Sequence, residues 1–210
     1  NAACSGYLYA LSQVYDMMRQ GGFKQVLVIT AETLSRVVRP ENYETYFLFG
    51  DAATASLVSL QGSASGNLNY RFNRPVLSAI PDPKDCLHVP LVSSDDHLSM
   101  NGVTVFRTAV REMIGVLNRA CHESKLTVND LDLIVPHQAN ARIIEAIRKQ
   151  LNLPAEKVFN MIEDVANTSS NTIPVSLYTL MNESGRKLQR LGLTAFGGGF
   201  TFGSAILEKL

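Results

Sequence analysis

The sequence predicts a layered α/β fold, on three observations. A wide apolar helical stripe, Tyr7 to Met18, stops at Gly21-Gly22 and gives way to the mostly β-branched run Val26 to Thr30. The same alternation of strand-like and helix-like segments resumes beyond a turn-rich joint, Gln61 to Asn67. Of the 210 residues, 46% are apolar, enough to fill a sizeable core.

The elements follow in order. Tyr7, Ala10, Leu11, Val14 and Met18 recur at helical spacing, with Leu8 and Tyr15 widening the stripe. This predicts a largely buried helix ended by the glycine pair. The continuous run Val26–Thr30 predicts a strand buried on both faces. Phe47-Leu48-Phe49-Gly50-Asp51 leads into a second strand, Thr54 to Leu60. The joint that follows sets a domain boundary, with units over 1–62 and 63–210. Beyond it a strand is expected within Leu68–Ile80, and an irregular loop over 81–98, rich in Pro, Asp and Ser. Asn101 is placed to cap a helix burying Phe106, Val110, Met113, Leu117 and Cys121. Leu131–Val135 reads as a buried strand ended by Pro136, and Gln138–Leu151 as a helix. Pro174 suits the first turn of another helix. Two strands, Leu193–Phe196 and Phe200–Leu207, close the chain around Gly197-Gly198-Gly199.

Lys+Arg and Asp+Glu each number 19, so no net field favours nucleic acid or an anionic membrane. No apolar run approaches the roughly 20 residues of a membrane span, and no signal-peptide pattern is visible. The three cysteines form no CxxC pair and no cluster at metal-ligand spacing, which predicts a reduced, cytoplasmic protein without a metal. The sequence does not begin with Met and opens inside what reads as a motif, so a fragment is expected.

Four pieces could carry chemistry. Cys4 stands where a loop enters a buried helix; unpaired N–H groups at that end favour the thiolate, although most such cysteines are only small core residues. Cys121 falls on an apolar helical face and Cys86 in a loop. His137 follows the strand ended by Pro136, beyond the carboxyl end where ligands bind in open α/β sheets; the plainer reading is a histidine bonded at a helix start. His88, His97 and His122 have no such setting and are expected at the surface. Asn167 heads an Asn-Thr-Ser-Ser-Asn-Thr run of the kind that caps helices, yet a carboxamide also donates to a developing oxyanion, and Asn171 could do the same or cap. The three glycines allow either a tight hairpin or an N–H aimed at a carbonyl oxygen. A thiol nucleophile, His, Asn and a backbone donor loop are together the parts of thioester chemistry.

Asn1-Ala2-Ala3-Cys4-Ser5-Gly6-Tyr7, Val135-Pro136-His137-Gln138-Ala139-Asn140-Ala141-Arg142, Asn167-Thr168-Ser169-Ser170-Asn171-Thr172-Ile173-Pro174 and Phe196-Gly197-Gly198-Gly199-Phe200-Thr201-Phe202-Gly203-Ser204-Ala205 resemble 3-oxoacyl-acyl-carrier-protein synthase III, the ketoacyl synthase III branch of the thiolase superfamily. The resemblance runs along the whole chain. It implies a thiolase-like α-β-α-β-α fold with the second half complete and the first partial, so that the isolated chain would expose strand edges and lack activity. It implies a homodimer, with the helix after Cys4 and the strand near Thr54–Leu60 in its interface region.

By the same resemblance Cys4 is the acyl-accepting nucleophile. His137 and Asn167 hydrogen-bond the malonyl thioester carbonyl during decarboxylation. The N–H groups of Cys4 and Gly198 form the oxyanion hole. Leu48, Met100, Gly102, Phe106 and Asn140 line the pantetheine tunnel and acyl pocket, and Arg142 docks the carrier protein. Acyl-coenzyme A and acyl carrier protein are substrates, and no cofactor is implied. Two departures stand out: Tyr43 where a relative has an arginine near the adenine of coenzyme A, and Asn171 in place of a small residue, which points to an acyl pocket of altered size. The alternatives are a relative with a non-acetyl starter or a different acceptor, a chalcone-synthase-like enzyme, and a non-catalytic partner subunit. The last conflicts with an intact Cys4, and the lack of a second cysteine in a glycine-rich context argues against a thiolase.

Overall fold

The computed structural model describes residues 2–61, 69–82, 84–90, 97–182 and 188–210, and the backbone alone at Glu44. The helices are α1 (Gly6–Arg19), α2 (Tyr43–Tyr46), α3 (Gly102–Glu123), α4 (Ala141–Gln150), α5 (Ile162–Val165) and α6 (Thr172–Asn182). The strands are β1 (Gln25–Thr33), β2 (Asp51–Ser59), β3 (Tyr70–Phe72), β4 (Val76–Ala79), β5 (Leu87–His88), β6 (Ser99–Met100), β7 (Leu133–Pro136), β8 (Arg190–Gly197) and β9 (Thr201–Lys209).

β1 and β2 pair antiparallel from Gln25↔Ser59 to Thr33↔Asp51. A second sheet runs β3-β9-β8-β7, with β4 also on β9, and β7 parallel to β8. Helices α1 and α6 lie between the two sheets, while α3 packs on the far face of β8 and β9 and carries α4 beside it. The described residues therefore stack as β-α-β-α, and no outer helical layer covers β1–β2 among them. The expected boundary at 62/63 falls outside the described residues.

The middle layer is where α1 buries its wide stripe. Leu8, Leu11, Val14 and Met18 pack with Val28 of β1, Ile173, Leu177 and Leu180 of α6, and Leu133, Leu191 and Leu193 of the large sheet. Gly203 of β9 lets α1 come this close, because a Cβ there would lie 2.9 Å from Leu8 Cβ. On the other face Met113, Val116, Ile143 and Ile147 meet Phe196 and Phe202. Asn101 caps α3 as its sequence predicts, accepting from Thr104 N at 3.1 Å.

Two expectations change. The run Val26–Thr30 is not buried on both faces: Leu27 and Ile29 are 55% and 66% exposed, as is Leu57 of β2 at 63%, and only the alternate residues face inward. The period-two alternation was hidden because both faces are apolar. The helix expected from Gln138 starts at Ala141 instead. Asn140 is its cap, accepting from Arg142 N, while Gln138 is buried and bonds Pro136 O, Phe159 O and Met161 N. A polar side chain that satisfies three backbone groups keeps the 138–140 segment out of the helix.

Leu8 is fully buried between the sheets. Leu8→Ala should lower unfolding free energy by about 2–5 kcal/mol, read from urea denaturation of the two proteins. A loss under about 1 kcal/mol would contradict its place in the core.

Candidate active site

Cys4 sits in a 3-10 turn, Ala3–Ser5, that runs directly into α1. Ala3 adopts a left-handed φ of 45°, which turns the chain sharply before the cysteine. The turn is clipped to the start of β9: Ser5 Oγ and Thr201 Oγ1 both donate to Ala2 O, at 2.7 and 2.9 Å, and lie 2.8 Å apart. Gly197 allows this crossing, since a Cβ there would lie 2.4 Å from Ala2 O and 2.9 Å from Cys4 N.

His137 leaves the carboxyl end of β7, its N–H bonded to Thr194 O at 2.8 Å. The ring is fully buried, edge-on to Phe196, with Nδ1 2.6 Å from Thr172 Oγ1. Asn167 is held by its backbone: it donates to Leu48 O and accepts from Gly50 N, a bridge to the segment before β2. Its Oδ1 accepts from Ser169 N at 2.9 Å, and its Nδ2 makes one long contact, 3.4 Å to Ala139 O, which leaves donor capacity for a ligand oxygen. Ala166 and Ser169, on either side, have φ of 58° and 55°, so backbone strain frames the asparagine.

These pieces line one cavity of about 1180 Å³. Cys4, His137, Asn167 and Gly198 are on its wall, and so are Leu48, Met100, Gly102, Phe106, Asn140 and Arg142, whereas Asn171 and Tyr43 are not. Asn140 does double duty as the α4 cap. Arg142 is exposed at the rim together with Arg107.

Several sequence expectations are corrected. Cys4 is not poised as a thiolate: burial pushes its thiol up to about 11, a hydrogen bond from Ser169 and its own amide work against this, and the Glu32 carboxylate adds to it. Desolvation at the base of the cavity is the largest of these effects and outweighs the helix end. Asn171 neither caps α6 nor lines the cavity. Its Oδ1 accepts from Thr30 Oγ1 at 2.6 Å and its Nδ2 donates to Ala52 O at 2.9 Å, so it ties the loop to both strands of the small sheet. His88 is exposed, as expected, on the cavity rim, whereas His97 is half-buried. Tyr43 is exposed and stacks on Phe47 at 5.5 Å.

Sequence reasoning missed Glu32, Ser169 and Thr172. Glu32 lines the cavity and accepts from Ser170 Oγ at 2.5 Å. It lies on a strand whose other face is exposed, and only the β-period counted from Thr30 would have pointed it inward. Among the described residues no group of His, Cys, Asp and Glu is placed to hold a metal ion, and no helix is long and apolar enough to cross a membrane.

Two outcomes follow. With the thiol near 11, roughly one Cys4 in ten thousand is ionised at pH 7. Alkylation of Cys4 by iodoacetamide should rise about tenfold per pH unit from 7 to 10, and Glu32→Gln should move the profile to lower pH; a plateau by pH 8 would contradict the burial argument. Burial also lowers His137 from 6.5 to about 3. Between those values the unfolded chain binds a proton that the folded one refuses, so this contribution to stability is present above 6.5 and is lost as pH falls. The urea midpoint should fall from pH 7 to pH 4 more steeply in the wild type than in His137→Gln, and equal slopes would remove His137 as the cause.

Comparison with known proteins agrees along the chain. Residues 1–73 match the family model of 3-oxoacyl-[acyl-carrier-protein] synthase III, and residues 121–209 match that of its C-terminal part. A beta-ketoacyl-[acyl-carrier-protein] synthase III of Fusobacterium nucleatum is 36% identical over 99% of this chain and 66% of its own length. The crystal structure of 3-oxoacyl-[acyl-carrier-protein] synthase III from Aquifex aeolicus superposes with a TM-score of 0.87 at 35% identity, covering 99% of this chain and 65% of that one. The priming beta-ketosynthase of a polyketide biosynthetic pathway superposes with a TM-score of 0.85 at 30% identity, covering 99% and 64%. The chain thus spans about two thirds of the length of these relatives. By the two family models and these relatives, the chain belongs to the 3-oxoacyl-[acyl-carrier-protein] synthase III family.

Proposed function

We propose that this protein is an acyltransferase that joins an acyl starter to a malonyl thioester by decarboxylative condensation. The observation that carries this is the convergence of Cys4, His137, Asn167 and Gly198, from four distant segments, on one cavity. In the first half-reaction the Cys4 thiol gives up its proton and its sulfur attacks the thioester carbonyl of acyl-coenzyme A. Coenzyme A leaves as the thiol, taking that proton. The backbone N–H groups of Cys4 and Gly198 hold the oxyanion in between. In the second, malonyl carrier protein enters and loses carbon dioxide. The enolate oxygen is held by His137 and the Asn167 Nδ2, and the enolate carbon attacks the acyl-Cys4 carbonyl. Cys4 leaves and regains a proton, releasing a 3-oxoacyl thioester.

A neutral His137 suits this role. A ring that stays uncharged at pH 7 neither attracts the malonyl carboxylate nor stabilises it against loss, while it still hydrogen-bonds a carbonyl oxygen. Leu48, Met100, Gly102, Phe106 and Asn140 would then face the pantetheine arm and acyl chain, and the exposed Arg142 would meet an acidic carrier protein. A cytoplasmic homodimer using acyl-coenzyme A and acyl carrier protein completes the reading. Because Asn171 faces the small sheet and not the cavity, the starter is chosen by the apolar wall, including Leu34, Leu48 and Phe106.

The test is intact-protein mass spectrometry with a panel of acyl-coenzyme A thioesters. One acyl mass should be gained, and the gain should vanish in Cys4→Ala. Acyl groups retained on that variant would refute the nucleophile. His137→Ala and Asn167→Ala should lower malonyl decarboxylation by about 100-fold or more while sparing acylation; equal loss of both steps would remove their assigned role.

A further inference from the structure

His137 Nδ1 and the main-chain oxygen of Ser169 compete for one hydroxyl. Thr172 Oγ1 lies 2.6 Å from the ring nitrogen and 3.2 Å from Ser169 O, and all three residues are buried. The hydroxyl has a single proton. If that proton points to Ser169 O, which can only accept, then Oγ1 is left as an acceptor and the ring must carry its proton on Nδ1. If it points to Nδ1, the ring must carry its proton on Nε2. Hydroxyl orientation and imidazole tautomer are therefore one variable.

The other end of the ring decides which state the free protein adopts. Nε2 is buried, finds no partner among the described residues, and belongs to a ring on the cavity wall. A buried N–H without an acceptor is rarer than a buried acceptor without a donor. The free protein should thus keep the N–H at Nδ1, where Thr172 receives it, and present the Nε2 lone pair. A ligand carbonyl oxygen at the cavity reverses the preference, because it needs a donor.

We propose that Thr172 is a positioning residue that sets the tautomer of His137: Nδ1–H in the free protein, with its hydroxyl on Ser169 O, and Nε2–H with the hydroxyl turned to Nδ1 once a carbonyl oxygen binds. The change takes one proton from Nδ1 and places one on Nε2 by exchange with solvent water, so the ring stays neutral and need not move. The use of the second state rests on the function proposed above; the first state does not. The start of α6 holds the pivot, since Thr172 is its first residue and Ser176 Oγ bonds Thr172 O at 2.7 Å.

The experiment is a long-range 15N–1H correlation spectrum of the protein labelled with 15N-histidine, at pH 7. The sequence has four histidines, and His137→Gln assigns the signal. The wild type should show a pyrrole-like Nδ1 and a pyridine-like Nε2. Thr172→Ser should keep that pattern, and Thr172→Val, which offers neither donor nor acceptor, should shift it toward Nε2–H. A pyrrole-like Nε2 in the free wild type, or an unchanged pattern in Thr172→Val, would overturn the proposal. Should the valine variant not fold, the wild-type spectrum still decides. In the malonyl decarboxylation assay Thr172→Val should lose about tenfold or more in kcat with KM little changed, and Thr172→Ser should recover it. A correct spectrum in a protein that fails the acylation panel would refute the proposed activity and leave the tautomer assignment standing.

Discussion

The segment 167–172 is the joint on which the molecule depends. It is bonded both to the small sheet and to the segment that precedes β2. Asn167 exchanges backbone hydrogen bonds with Leu48 and Gly50, Ser170 donates to Glu32, and Asn171 spans Thr30 and Ala52. On its other side Thr172 meets His137, which hangs from the large sheet. Buried polar groups of this kind are costly when left unpaired, so these bonds favour one relative placement of the two sheets. The site is thereby assembled by the same bonds that fix the fold.

Electrostatics in the cavity follow from burial more than from charge. Cys4 has a helix end ahead of it and a hydrogen bond from Ser169, yet its thiol is pushed up to about 11, and His137 is driven down to about 3 with no charged neighbour contributing. Both groups rest in their neutral forms. A pair so arranged stores no ion pair that an incoming thioester would have to displace, and its reactivity appears only when a substrate supplies the carbonyl to be attacked.

Much of this was legible in the residues. The α1 stripe, the Asn101 cap, the strand before His137 and the glycine loop between β8 and β9 follow from period, capping and turn chemistry, and the four chemical pieces were recognisable by residue type. The geometry that depends on distant partners was not. Whether Asn171 faces the cavity or the small sheet is decided by Thr30, 141 positions away, and no local pattern encodes that. The thiolate expectation for Cys4 failed for a similar reason: the helix end is written locally, whereas the desolvation that defeats it is made by the rest of the cavity wall. Gln138 likewise reads as helix until its three backbone partners are known.

One feature of β1 couples the site to the outside. Ile29, exposed, and Thr30, bonded to Asn171, are adjacent residues on opposite faces of one strand. With Leu27 and Leu57 the outer face offers an apolar surface. Any surface that covers it would favour the ordered strand, and by mass action would add to its stability in proportion to RT ln(1 + [L]/Kd). The bond that ties the Asn167 loop to β1 thus lies one peptide bond from that exposed surface.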